Sequence, residues 1–452
     1  MKKQFTALAV GALAAATAVL LAGCAPGSSP GGSGESKTAA SKSVESGKYT
    51  LTVWDQNNTG DIDTAQKKLN AAFEKKYPNI TIKRNSQSFS DLKTTLKLAL
   101  SGNNPPDVVQ ANQGYPDMGA FVSGGMLTPL DDYSTLYGWK DYFPSNLLAL
   151  NTFSSDGKHW QTGNLYGVSN TGEFVGVYYN KKILSSLGVD APKTLDDLTA
   201  DMAKAKAAGI QPMAYGDLEK VRGIQLYGVV QAATAGATAV QDLVSAKSGA
   251  WTDKANVDAA ATIQDWSKKG YLPADANGIS QDAAVADFGK GKAAFIIDGT
   301  WDMSTIGQAL GQTNAGMAAL TPAGASAPVT QGGEGLAWAI TSKSAHPNAA
   351  AAYIDFISGK SSAQTMIDAN SLPTVLPADH KAQDGSLQAS VYDQYTSLTA
   401  GKSIVPYLDY TTPTFYNTLT AAMQDLTAQK STPQQFTQTL QTDYSGFVSG
   451  NK

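Results

Sequence analysis

Apolar residues along this chain recur at two periods. Residues 49–54 alternate as Tyr-Thr-Leu-Thr-Val-Trp, which predicts a half-buried strand. Beyond them Ala65, Leu69, Ala72, Phe73 and Tyr77 recur every three or four positions and predict one helix face, stopped by Pro78. Ile80-Thr81-Ile82 reads as a second strand. Residues 91–100 read as a second helix, ended by Gly102 and the Pro105-Pro106 pair, and Val108-Val109 as a third strand. Strand, helix, strand, helix, strand implies right-handed crossovers and a parallel sheet. The ligand crevice of such a sheet lies beyond the carboxyl ends of its strands. Those ends carry Asp55 and Gln56 after the first strand and Asn112 and Gln113 after the third, so these four are candidate ligand contacts.

A second block follows. Residues 175–179 form a strand, and Asn180-Lys181-Lys182 opens a helix. Thr194 with Asp197 has the spacing of a capping box before a helix over 195–207. Residues 293–297 read as a buried strand running into Asp298-Gly299-Thr300-Trp301. The glycines around Glu334 lead into a strand over 336–340, residues 349–357 into a helix, and the pattern from Ser386 on is mostly amphipathic helix. With 452 residues the chain exceeds one ordinary core, so two or more lobes are expected.

The first fifty residues differ from the rest. Lys2 and Lys3 precede an apolar run over 7–21, the length of a secretory signal and too short to span a bilayer comfortably. It ends at Leu21-Ala22-Gly23-Cys24, which resembles a bacterial lipobox and holds the chain's only cysteine. The expectation is a signal peptide over 1–23, lipidation at Cys24, and anchoring to the outer face of a bacterial cell membrane. Of residues 25–47, 14 are Gly, Ser or Pro, so residues 24–47 are expected to form a flexible tether.

Composition narrows the chemistry. The net charge is −4, and only two of the 34 basic residues are arginines, Arg84 and Arg222. That disfavours a nucleic-acid partner and points to a neutral ligand. One Cys and three His leave no internal disulfide and no Cys/His zinc site, and no cofactor is expected; an all-carboxylate calcium site stays open, though no calcium-loop pattern is present. No catalytic motif stands in a suitable context: the Gly27–Gly31 match to a nucleophile elbow lies within the tether, and Gly359-Lys360-Ser361 lacks the upstream glycine of a phosphate loop.

Four segments together resemble a known family. They are PPDVVQANQGY, YGVSNTGEFVGVYYNKKIL, GKAAFIIDGTW and GGEGLAWAI, in that order. They are similar to the extracellular solute-binding proteins of carbohydrate ABC importers, the family that includes maltose-binding protein. The resemblance implies an α/β fold of two periplasmic-binding-protein-like lobes with a ligand cleft between them. One lobe would comprise 48–169 plus 334–375, the other 170–333 plus 376–452. It also implies an oligosaccharide ligand, ABC permease subunits as partners, a monomer and no enzymatic activity. By similarity Trp301 is the sugar-stacking tryptophan and Glu173 the ligand-contacting acid of the crossover. Asp217 and Arg222 fall in a segment resembling another contact loop, and Glu334 in the return crossover. Asp409 and Tyr416 belong to a late polar-aromatic cluster. The loop after the third strand, Ala111-Asn112-Gln113-Gly114, departs from maltose-binding protein, so maltose is not implied. Each side chain also has a structural alternative: core packing for the aromatics, turn building for the amides, hinge charges for Glu173 and Glu334. The competing functions are a cell-surface glycoside hydrolase, a binding protein for a non-sugar neutral solute, and an adhesive or sensory lipoprotein.

Overall fold

The computed structural model describes residues 39–450. The signal segment, Cys24 and the first part of the tether lie outside the described residues. No helix among the described residues is long and apolar enough to cross a membrane.

Two sheets organise the molecule. In the first, β1 (Tyr49–Asp55) lies between β2 (Ile80–Ser86) and β3 (Val108–Ala111), both parallel to it. The strand Ala337–Ile340 adds antiparallel on the far side of β3. Helices α1 (Gly60–Lys76) and α2 (Phe89–Ser101) supply the crossovers. The strands are longer than their apolar centres suggested, because polar residues continue the ladders: β2 runs on through Lys83, Arg84, Asn85 and Ser86. The buried stripe of α1 also differs from expectation. Ala72 faces solvent, while Gln66 and Asn70 turn inward beside Ala65, Leu69 and Phe73. The two amides are tolerated there because they are bonded: Gln66 donates to Asn70 and to the Tyr353 hydroxyl, each at 3.0 Å, and that hydroxyl donates to Asn70 at 2.8 Å.

The second sheet is built around the strand Gly172–Asn180. Ala293–Gly299 and Thr330–Glu334 flank it, both antiparallel, with Gln211–Ala214 and Ile404–Val405 outside them. Asn180 caps the following helix through the Lys182 and Ile183 amides, and Thr194 with Asp197 forms a capping box on Leu195–Ala207. Both caps were readable from side-chain type and spacing.

The sheets are joined by a two-stranded ribbon. Trp338 N–H donates to Val168 at 2.8 Å, Gly335 N–H to Thr171 at 2.9 Å, and Gly332, Gly333 and Glu334 pair with Phe174, Glu173 and Gly172. The chains pass so closely that a Cβ on Gly335 would meet the Thr171 hydroxyl and the Glu173 carboxylate.

The tether expectation needs shortening. Residues 40–47 are docked on the fold, with Ala40 and Val44 against the core of the first sheet's side and Lys42, Ser43, Ser46 and Gly47 exposed. The Glu45 carboxylate accepts from the Asn348 and Ala349 amides at 2.9 and 3.0 Å, at the start of the helix Pro347–Ser358. Helix starts leave such N–H groups without partners and favour negative charge, so one carboxylate docks a segment whose composition reads as linker. Replacing Glu45 with alanine is expected to lower the unfolding free energy by about 1 kcal/mol. Chemical denaturation checks this, with ligand affinity unchanged.

Candidate binding cleft

A cavity of about 330 Å³ opens between the carboxyl ends of β1 and β3 in the first sheet and the edge of the second where Gly172–Asn180 begins and its two antiparallel neighbours end. Gln56, Asn57, Ser88, Phe89 and Asn112 line it from the first sheet's side. Arg222, Gln225, Trp301 and Asp302 line it from the second. Glu173, Glu334, Tyr407, Asp409, Tyr410 and Tyr416 complete the wall. Of the residues singled out from sequence, Gln56, Asn112, Glu173, Arg222, Trp301, Glu334, Asp409 and Tyr416 border this space.

Three do not. Asp55 is fully buried, and its carboxylate is used by the fold. Arg84 grips it through Nε at 2.5 Å and Nη2 at 2.7 Å, and the Ser86 hydroxyl and Asn57 amide add bonds at 2.7 and 2.8 Å. Asp55 therefore shapes the loop that presents Gln56. Gln113 is buried too; its Nε2 donates to the Gly335 carbonyl at 2.9 Å and its Oε1 accepts from Tyr410 at 3.0 Å. Asp217 accepts the Gly223 amide at 3.0 Å, at the start of the helix Arg222–Ala235. A polar side chain at a strand end or a helix start marks the right region, but partners within the protein, backbone and side chain alike, claim these three.

Trp301 is 38 % exposed, the only aromatic among the large exposed apolar side chains of the described residues. The ring lies so close over Gly299 that a Cβ there would collide with it. The Arg222 guanidinium stands 5.7 Å from the ring centroid. That guanidinium pairs with Asp298 and, at 2.8 Å, with Asp302, so its charge is matched within the protein. The ring is thus a held, apolar platform at the cavity edge.

The carboxylates of the wall are poorly solvated. Burial pushes Glu334 up to about 8, against hydrogen bonds from Asn151 and Gln113, and the nearby negative charge of Glu173 adds to the rise. Burial likewise pushes Glu173 up to about 7, opposed by the Tyr407 hydroxyl 3.4 Å away. Asp409 rises to about 6 through burial, opposed by Lys93. Lys93 bonds Asp117 at 2.5 Å and lies 4.4 Å over the Tyr416 ring. Across the cavity mouth Asp61, on α1, accepts from Ser304 and, at 2.8 Å, from Gln308, both on the helix that follows Trp301. Among the described residues no group of His, Cys, Asp and Glu is arranged to hold a metal ion.

Tyr407, Gln225 and Phe89 also border the cavity and were not foreseen. Tyr407 and Tyr410 flank Asp409 three positions apart in Tyr-Leu-Asp-Tyr, a signal that was available. Gln225 sits inside a buried helix, where nothing in the local pattern separates it from its neighbours.

The sequence profile of the bacterial extracellular solute-binding proteins matches residues 57–364. The chain belongs to that family. An uncharacterized extracellular-binding protein of an ABC transporter from Pyrococcus horikoshii is 29 % identical over 79 % of this chain and 76 % of its own length. The melibiose/raffinose/stachyose-binding protein MelE of Bacillus subtilis is 24 % identical over 90 % and 92 %. A solved chitin oligosaccharide binding protein superposes with a TM-score of 0.77, covering 89 % of this chain and all of its own at 24 % identity, which shows the shared two-lobe fold. In this solute-binding protein the cavity is the cleft between the lobes.

The glutamates of this binding protein predict a pH dependence. Their folded-state values stand above the ordinary 4.5, so between about 4.5 and about 8 the folded state holds more protons than the unfolded chain. Ligand-free stability therefore falls as pH rises through that window. Glu334→Gln is expected to flatten the fall, and at about pH 8 to match or exceed the wild type in thermal unfolding.

Proposed function

We propose that this solute-binding protein captures a neutral oligosaccharide in the cleft and delivers it to the permease of an ABC importer. The observation that carries the reading is the Trp301 ring, held by Arg222 and exposed to the cavity. A sugar offers an apolar ring face and a rim of hydroxyls. The cleft answers with an aromatic platform and, around it, amides and carboxylates at Gln56, Asn112, Glu173, Glu334 and Asp409. Arg222, the arginine of the wall, is neutralised by its own aspartates, which supports an uncharged ligand over an anion. MelE and the multiple sugar-binding protein of Streptococcus mutans, named for the sugars they bind, support the same class. Lipidation at Cys24, anchoring outside the cell and action as a monomer complete the proposal.

A thermal-shift screen with neutral mono- and oligosaccharides, amino acids and organic anions tests it. A sugar at about 100 times its dissociation constant adds about 2.7 kcal/mol of stability. A shift confined to one oligosaccharide class, with the sugar recovered intact, supports the receptor; turnover would favour a hydrolase. Trp301→Ala is expected to weaken binding of that sugar by about 1–3 kcal/mol in calorimetric titration. Wild-type affinity in the variant would remove Trp301 from the site.

A further inference from the structure

The helix Arg222–Ala235 is buried along most of its length, and its other polar side chains at the cleft end and beyond have tasks in the fold. Arg222 pairs with Asp298 and Asp302, and Gln231 donates to Asn256 at 2.7 Å. The neighbouring Gln331 donates at 3.1 Å to the backbone carbonyls of Ile224 and Gln225. The Gln225 side chain is the exception. It is 7 % exposed and borders the cavity, and neither end of its amide has a hydrogen-bond partner, whereas Gln231 and Gln331, which also leave Oε1 unpaired, donate through Nε2. A buried amide oxygen without a donor is costly, and an apolar side chain would serve packing better. It stands three residues after Arg222, on the helix face whose guanidinium holds Trp301.

We infer that Gln225 is a specificity-determining residue, whose side-chain amide hydrogen-bonds a hydroxyl of the sugar ring stacked on Trp301. The inference rests on the proposed sugar reading and sharpens it. The amide offers a donor at Nε2 and an acceptor at Oε1, and a hydroxyl is the sugar group that can bond either. The ligand class is then an oligosaccharide with a free hydroxyl on the rim of the stacked ring. Capping or removing that hydroxyl leaves the amide unpaired again and is rejected.

The test is calorimetric titration of wild type, Gln225→Leu and Gln225→Met with raffinose, a chitin trisaccharide, a xylan trisaccharide and maltotriose, together with sugar-free thermal unfolding. Methionine covers the case in which leucine packs badly. For the sugar that wild type binds, both variants are expected to lose roughly tenfold to a hundredfold in affinity. Their sugar-free midpoints stay level or rise, because no native hydrogen bond is removed. Retained affinity overturns the inference, as does a sugar-free midpoint several degrees lower, which would mark a structural role. If wild type binds none of the four sugars, the sugar reading fails first and this one with it, and the failure shows in the wild type itself.

Discussion

Everything about the cleft depends on the antiparallel ribbon in which Gly332, Gly333 and Glu334 pair with Phe174, Glu173 and Gly172. This ribbon carries the chain from one sheet to the other and back. It also places two carboxylates, Glu173 and Glu334, at the cavity wall, where they lose water and gain few compensating bonds. A hinge made of close-packed backbone leaves little room for side chains, which is why glycine stands at 332, 333 and 335. Bending of such a ribbon is how two-lobe proteins close over a ligand. The contact of Asp61 with Ser304 and Gln308 lies at the opposite edge, across the mouth.

The two walls are built differently. On the first sheet's side, the buried ion pair of Asp55 with Arg84 holds the loop that presents Gln56, and Asn112 donates to Asp117, itself fixed by Lys93. On the second side, Arg222 and its two aspartates hold Trp301. Both walls thus spend their cations internally, next to the cavity. The result is a polar, weakly acidic cleft in which Trp301 is the exposed aromatic, beside Phe89 and the tyrosines of the wall, suited to hydroxyl groups on the proposed reading.

Much of this was legible from residue order. Alternation and three-to-four periodicity located β1, α1, β2, α2 and β3, and cap chemistry located the starts of Lys181–Leu187 and Leu195–Ala207. Trp301 was singled out by the family resemblance of the segment GKAAFIIDGTW, and it borders the cavity. Three kinds of detail were not legible. Gln66 and Asn70 face inward only because Tyr353, far along the chain, completes their hydrogen bonds. Asp55, Gln113 and Asp217 stand in the right places, but their partners, Arg84, Gly335 and Gly223, become visible only when the chain is folded. Residues 40–47 read as linker by composition, since the carboxylate that docks them, on Glu45, acts on a helix start some three hundred positions away.

The most direct test of the central claim is a crystal structure of the protein with the oligosaccharide that most raises its thermal midpoint. The account predicts intact sugar between the lobes, one ring face on Trp301, with its hydroxyls toward Gln56 and Asn112 on one side and Gln225 on the other. Sugar bound elsewhere, or Trp301 packed against protein with the cleft empty, would contradict it.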